Sequence, residues 1–143
     1  MKKKWGLPPG FVFLIAFPAF ADVTVKDAWV RGTVPAQTVT GAFMTITSTA
    51  SAKLVGASTP IASMTEIHES TMKDGVNHMH QVEAVALPAG KAVELKPGGY
   101  HMMLMGVSKP VKEGQKVEID LVIEEKGKRS TIKVQADVRP LGK

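Results

Sequence analysis

From Lys116 to Glu124 apolar and polar residues alternate without a break (KVEIDLVIE), which puts Val117, Ile119, Leu121 and Ile123 on one face. Successive side chains of an extended chain point to opposite faces, so a period of two predicts a strand with one buried face. Thr131–Val138 repeats the pattern with Ile132, Val134, Ala136 and Val138. The intervening Glu125-Lys126-Gly127-Lys128 predicts a tight turn that joins the two strands as a hairpin. Further strands are predicted near Val23–Arg31, Gly41–Thr47, Met64–Ser70, Asn77–Ala84, Ala92–Leu95 and His101–Gly106. Glycine and proline separate them at Pro88-Ala89-Gly90, Lys96-Pro97-Gly98-Gly99 and Lys109-Pro110. No stretch of useful length has a helical period, and there is no repeat or low-complexity tract. Short strands with regular turn signals predict an all-β fold, a single antiparallel β-sandwich, with Trp29, Phe43, Ile46, Val85 and Leu104 in its core.

The first residues break this pattern. Lys2, Lys3 and Lys4 precede a short apolar run, Gly10 to Ala19, and Ala19-Phe20-Ala21 offers small residues at a cleavage position. This is the layout of a secretory signal peptide, residues 1–21, cleaved after Ala21. The run is too short to cross a bilayer comfortably, and Pro8, Pro9 and Pro18 would interrupt a helix. The mature domain is therefore expected at residues 22–143, in the periplasm, with no membrane span.

Charge and cysteine content then narrow the function. The 18 basic and 13 acidic residues of the full chain lose Lys2, Lys3 and Lys4 with the leader, so the mature net charge is about +2 rather than +5. The remaining lysines are scattered among acids, which argues against a nucleic-acid partner. There is no cysteine. Thiol redox chemistry, a lipid-anchoring cysteine and a blue-copper centre, which needs a thiolate, are all excluded on that ground. Any metal must be held by His, Met, carboxylate or backbone.

All four histidines, His68, His78, His80 and His101, fall within one 34-residue window, and Met72, Met79, Met102, Met103 and Met105 lie in it or at its edge. Methionine also fills β cores, so clustering alone is not a site. Strand geometry selects a subset. On one strand His101 and Met103 share a face, with Met105 beyond them, while Met102 and Leu104 turn to the core. Asp74-Gly75 is a strong two-residue hairpin turn. With these as its central pair, facing residues have numbers summing to 149, His68 faces Gln81, and Met79 becomes its diagonal neighbour on the same face. His78 and His80 then lie on the opposite face, where they are expected to be solvated. Two imidazoles and two thioethers with no anionic ligand suit a soft monovalent ion, Cu(I), and carriage rather than catalysis.

The ligand spacing resembles that of the PCuAC family of bacterial periplasmic copper chaperones: His, ten residues, Met, twenty-one residues, then His-x-Met. His68, Met79 and His101-Met102-Met103 match it, as do the flanking words Ala28-Trp29-Val30-Arg31, Gly41-Ala42-Phe43 and Pro97-Gly98-Gly99-Tyr100-His101-Met102-Met103-Leu104-Met105-Gly106. The similarity extends over Asp22 to Pro140. It implies a cupredoxin-like β-sandwich with copper, as Cu(I), at His68, Met79, His101 and Met103. It further implies delivery to cytochrome oxidase, toward the dinuclear copper centre of its periplasmic copper-binding subunit, directly or through an assembly factor. The His- and Met-rich tail of some members is missing, since the chain stops at Pro140-Leu141-Gly142-Lys143, so a second copper held there is not expected.

Three functions remain open on the sequence: a copper chaperone, a periplasmic copper buffer or resistance protein, and an exported interaction module whose His and Met residues are structural. An enzyme is not expected, because no nucleophile–base pair or open metal position is apparent. The mature protein is expected to be a monomer.

Overall fold

The computed structural model describes residues 21–140. The predicted leader lies outside them except for Ala21. Ten strands follow in order: β1 (Val23–Arg31), β2 (Val39–Ser48), β3 (Ala52–Ser58), β4 (Met64–Lys73), β5 (Val76–Val82), β6 (Val85–Leu87), β7 (Ala92–Leu95), β8 (Tyr100–Met105), β9 (Lys116–Glu125) and β10 (Lys128–Arg139). Their hydrogen-bonded order is β5-β4-β8-β7-β2-β1-β10-β9-β3-β6, and β8 also pairs with β2. β3 comes against β4 and β6 against β2, so the sheet rolls on itself and its inner faces meet in one core. The predicted antiparallel pattern holds for most neighbours. The exceptions are β1 with β10 and β7 with β8, which run parallel.

The C-terminal hairpin shows why the alternation was informative. β9 and β10 pair without slippage from Glu125↔Lys128 to Lys116↔Asp137. Val117, Ile119, Leu121 and Ile123 are all buried, and Val134, Ala136 and Val138 meet them from β10. Each buried aliphatic side chain contributes about 1.5–3 kcal/mol relative to exposure, so this pair of strands is a large part of the hydrophobic stabilisation.

Three expectations need correction. The strand expected near Asn77–Ala84 is β5, which ends at Val82; the short strand after it, β6 at Val85–Leu87, was not expected and pairs with β3 at the far end of the sheet order. β3 itself was not predicted. Its alternation survives only at Ala52 and Leu54, because a bulge between Leu54 and Gly56 shifts the face of the residues that follow. Ile46, Val85 and Leu104 are in the main core cluster; Phe43 is as well buried, at 3% exposed, but outside that cluster, and Trp29 is only partly buried. Val30, Ala42 and Met44 take the inward positions of β1 and β2, so Trp29 and Phe43 must point outward. There they stack on each other, ring centroids 4.6 Å apart.

The end of β8 is held by a close approach. Gly106 has φ +71°, and a Cβ placed there would lie 2.0 Å from Ser63 Oγ. Ser63 in turn donates its N–H to the Met105 carbonyl at 3.0 Å. Gly106→Ala should therefore lower stability by about 2 kcal/mol or more, combining left-handed strain with the clash. Chemical denaturation against the unchanged protein measures this, and a loss below about 0.5 kcal/mol would show that Ser63 yields freely.

Candidate metal centre

The turn at Asp74-Gly75 sets the first half of the site. Both residues have positive φ, 53° and 77°, the conformation a two-residue hairpin turn demands. The pairing runs Lys73↔Val76, Met72↔Asn77, Thr71↔His78, Ser70↔Met79, Glu69↔His80 and His68↔Gln81, which is the register expected from the sequence. β8 supplies the second half by pairing with β4, Ile67↔Met102, His68↔His101 and Glu66↔Met103. Ile67 and Met102 are core residues, so their neighbours in each strand face outward. All four predicted ligands, His68, Met79, His101 and Met103, thus share one face of three adjacent strands. His78 and His80 are on the other face, where His80 Nε2 lies 3.6 Å from Glu69 Oε1.

A second turn orients His101. Gly99 donates its N–H to the Lys96 carbonyl at 3.0 Å across Pro97 and Gly98, and Gly98 has φ +89°. Proline followed by a positive φ is the requirement of a type II turn. The turn presents the Gly99 carbonyl to two donors, the Ser70 N–H at 3.0 Å and His101 Nδ1 at 3.2 Å. A carbonyl can only accept, so His101 carries its proton on Nδ1 and its Nε2 lone pair is left for another partner.

His68 is set the opposite way. Its Nε2 is 2.9 Å from Glu66 Oε1. An ionised carboxylate can only accept, so Nε2 holds the proton and Nδ1 keeps the lone pair. That Nδ1 is buried and has no hydrogen-bond partner. A buried polar atom left unpaired costs roughly 1–3 kcal/mol, so its position calls for a partner that the protein itself does not provide. The two imidazoles face each other with ring centroids 6.0 Å apart and 28° between planes. With metal–nitrogen bonds of about 2 Å, two rings bound to one ion have centroids roughly 5–6 Å apart. The residues present therefore fit a metal ion, with nitrogens from β4 and β8 and thioethers from β5 and β8.

The surroundings tune that site. His101 is only 5% exposed, although its strand face is the outer one. Phe43 covers it, centroids 6.4 Å apart, and Trp29 backs Phe43. Gly41 leaves room for this, because a Cβ there would meet the Phe43 ring at 3.0 Å. The Arg31 guanidinium lies 5.4 Å from the Phe43 centroid, and Arg139, its register partner, is 4.5 Å from that of Trp29. Fixed positive charge on this side disfavours a divalent more than a monovalent ion. Met79, by contrast, is 51% exposed. The site is closed at its imidazole end and open at one thioether. Among the described residues no three His, Asp or Glu side chains form a metal-sized cluster.

Sequence reasoning missed Glu66 and the aromatic wall. Glu66 was findable, because it lies two residues before His68 and so shares its face; Phe43 and Trp29 had been assigned to the core.

Fold and site together define a cupredoxin-like β-domain bearing a cluster of soft donors on an outer face. The sequence matches the family described as "Putative lipoprotein LpqE-like" over residues 23–138. The chain belongs to that family, which is of the PCuAC type. A relative in Leifsonia xyli subsp. xyli, described as "Putative lipoprotein Lxx21020", is 35% identical over 100 residues, covering 69% of this chain. The match spans 60% of that relative's length. The solution structure of apo-DR1885 from Deinococcus radiodurans is 33% identical with a TM-score of 0.61, covering 98% of this chain and 95% of that one. Its Cu(I) form is 31% identical at 0.60, covering 90% and 83%. The copper-bound PCuAC domain from PmoF2 shares the fold at 0.65 with 22% identity, over 87% of this chain and all of that one.

Glu66→Ala should free the His68 ring while leaving the fold intact, since Glu66 is partly exposed. Nitrogen-15 chemical shifts of the metal-free protein read the tautomer directly. His68 should shift from mainly Nε2–H to a mixture, with His101 unchanged. An unaltered His68 pattern would show that Glu66 does not set it.

Proposed function

We propose that this domain is an exported Cu(I) chaperone that carries one copper ion on His68, Met79, His101 and Met103. The observation that supports this reading is the orphaned, buried Nδ1 of His68, on the strand face that also carries His101, whose ring lies 6.0 Å away centroid to centroid, Met79 and Met103. Thioethers prefer Cu(I), and hard cations would require oxygen donors. The Cu(I)-bound form of DR1885 supports the same ion for a relative of this identity. With four neutral donors the bound ion keeps a single positive charge, which the Glu66 carboxylate beside it offsets.

The openness of the site suits transfer. An incoming donor reaches the ion past exposed Met79, displaces that thioether first, and meets the buried His101 last. The recipient in this reading is cytochrome c oxidase, at the dinuclear copper centre of its periplasmic subunit or through an assembly factor. That step rests on the PCuAC resemblance. The domain is not an enzyme in this reading; the ion is cargo, and no group is placed to activate water. Export in this reading rests on the leader layout of residues 1–21 and on the lipoprotein-like family to which the chain belongs.

One equivalent of Cu(I) should bind tightly, and X-ray absorption at that loading should fit two sulfur and two nitrogen donors; a nitrogen–oxygen shell would sink the soft-ligand reading. Replacing His78 and His80 together with alanine should leave Cu(I) affinity within about tenfold, roughly 1.4 kcal/mol. Met79→Ala should cost more, as measured by competition with a Cu(I) chelator. N-terminal sequencing of the exported protein should begin at Asp22, whereas an intact Met1 would contradict the leader.

A further inference from the structure

The methionines of the described residues separate by face. Met44 and Met102 are core residues. Met64, Met72, Met79, Met103 and Met105 all lie on the outer face that carries His68 and His101. The register requires this: Met64↔Met105, Glu66↔Met103 and His68↔His101 form successive rows between β4 and β8, and Ser70↔Met79 and Met72↔Asn77 continue the same parity into β5. Two of these, Met79 and Met103, belong to the four-donor set. Met64 and Met105 have no part in the four-donor site.

Their placement is unusual for apolar side chains. Met64 is 53% exposed, and it sits directly opposite Met105. Of the other exposed large apolar residues, Val39 pairs with Met105 from β2 and extends the same row, while Val34 and Val76 lie away from it. What this face offers in excess is thioether sulfur. Directly opposed residues of an antiparallel pair have Cβ atoms about 4.5–5.5 Å apart, so two flexible thioether side chains can close on one ion. The row is held in place, since Ser63 donates its N–H to the Met105 carbonyl at 3.0 Å and Gly106 packs against Ser63. Met103 follows two residues before Met105 on the same strand face, which links this row to the main site.

The geometry points to Met64 and Met105 as a second, weaker soft-metal site, a station through which Cu(I) enters and leaves the His68–His101 centre. Two thioethers without an imidazole hold the ion less firmly than four donors, so the equilibrium position is the main site and the pair acts on rate. The ion stays Cu(I) throughout, and each step exchanges one neutral sulfur donor for another. The inference rests on the Cu(I) reading given above.

The test uses Ag(I), a redox-inert soft ion, with the methionine methyl groups followed by NMR, and chelator-driven Cu(I) removal followed by stopped flow. In the wild-type protein the first equivalent of Ag(I) should move the methyls of Met79 and Met103, and a second, weaker equivalent those of Met64 and Met105. The double variant Met64→Leu with Met105→Leu, which keeps side-chain volume and removes sulfur, should bind the first equivalent of Cu(I) as tightly as wild type. It should lose the second Ag(I) event and release Cu(I) to the chelator several-fold more slowly. Unmoved Met64 and Met105 methyls at the second equivalent, or unchanged release from the variant, would overturn the proposal. So would a variant that is slowed only when an acceptor protein is present, which would make the row a docking surface. A wild-type protein that binds neither ion at His68 and His101 would instead remove the function itself. The methyl readout needs no variant, so it stands even if the double substitution folds poorly.

Discussion

The parity of strand β4 is the constraint on which the rest depends. Ile67 must be buried, because it faces Met102 in the core, and a strand that buries Ile67 has no choice but to turn Glu66, His68 and Ser70 outward. The hydrophobic effect, acting on one residue, thereby aims the imidazole. The same holds on β8, where Met102 and Leu104 are inward and His101, Met103 and Met105 are outward. A slip of one residue in either strand would put the proposed ligands into the core and the core residues into water. Burial of apolar area thus specifies the site without any contribution from the metal.

Within that frame the donor atoms are chosen by hydrogen bonding. Gly99 takes the Nδ1 proton of His101, and Glu66 takes the Nε2 proton of His68, so each ring is left with a different nitrogen free. These second partners matter as much as the ligands, because an imidazole in the wrong tautomer offers a proton where a lone pair is needed. The aromatic wall of Phe43 and Trp29 then excludes water from the His101 side, and the arginines stacked on it add positive charge there. The opposite side is left to exposed thioethers. A site that is rigid and dry at one end and flexible at the other can hold a soft ion and still release it by ligand exchange.

Much of this was legible in the sequence, and the reasons differ by element. The strict alternation of β9 and β10 was readable because one face of each is fully buried. The ligand face was readable because Asp74-Gly75 admits so few turn geometries that the register followed from counting residues. His68 and Met79 were placed on one face by that count, with His78 and His80 on the other, while His101 and Met103 were placed together on a face of their own strand by its period of two. The short strand β6, the bulged strand β3 and the outward placement of Trp29 and Phe43 were not readable.

Local sequence determines periodicity, turn type and therefore which side chains share a face of a hairpin, since these depend on backbone geometry over a few residues. Only the tertiary structure decided which strands lie side by side. That β8 pairs with β4, so that His101 meets His68 across 33 positions of chain, depends on how the whole sheet rolls to cover Ile67, Met102 and Leu104. The parallel pairing of β1 with β10, which stacks Arg31 and Arg139 on Trp29, is of the same kind. Such pairings are settled by the shared burial of residues far apart in sequence, a quantity that no single segment carries.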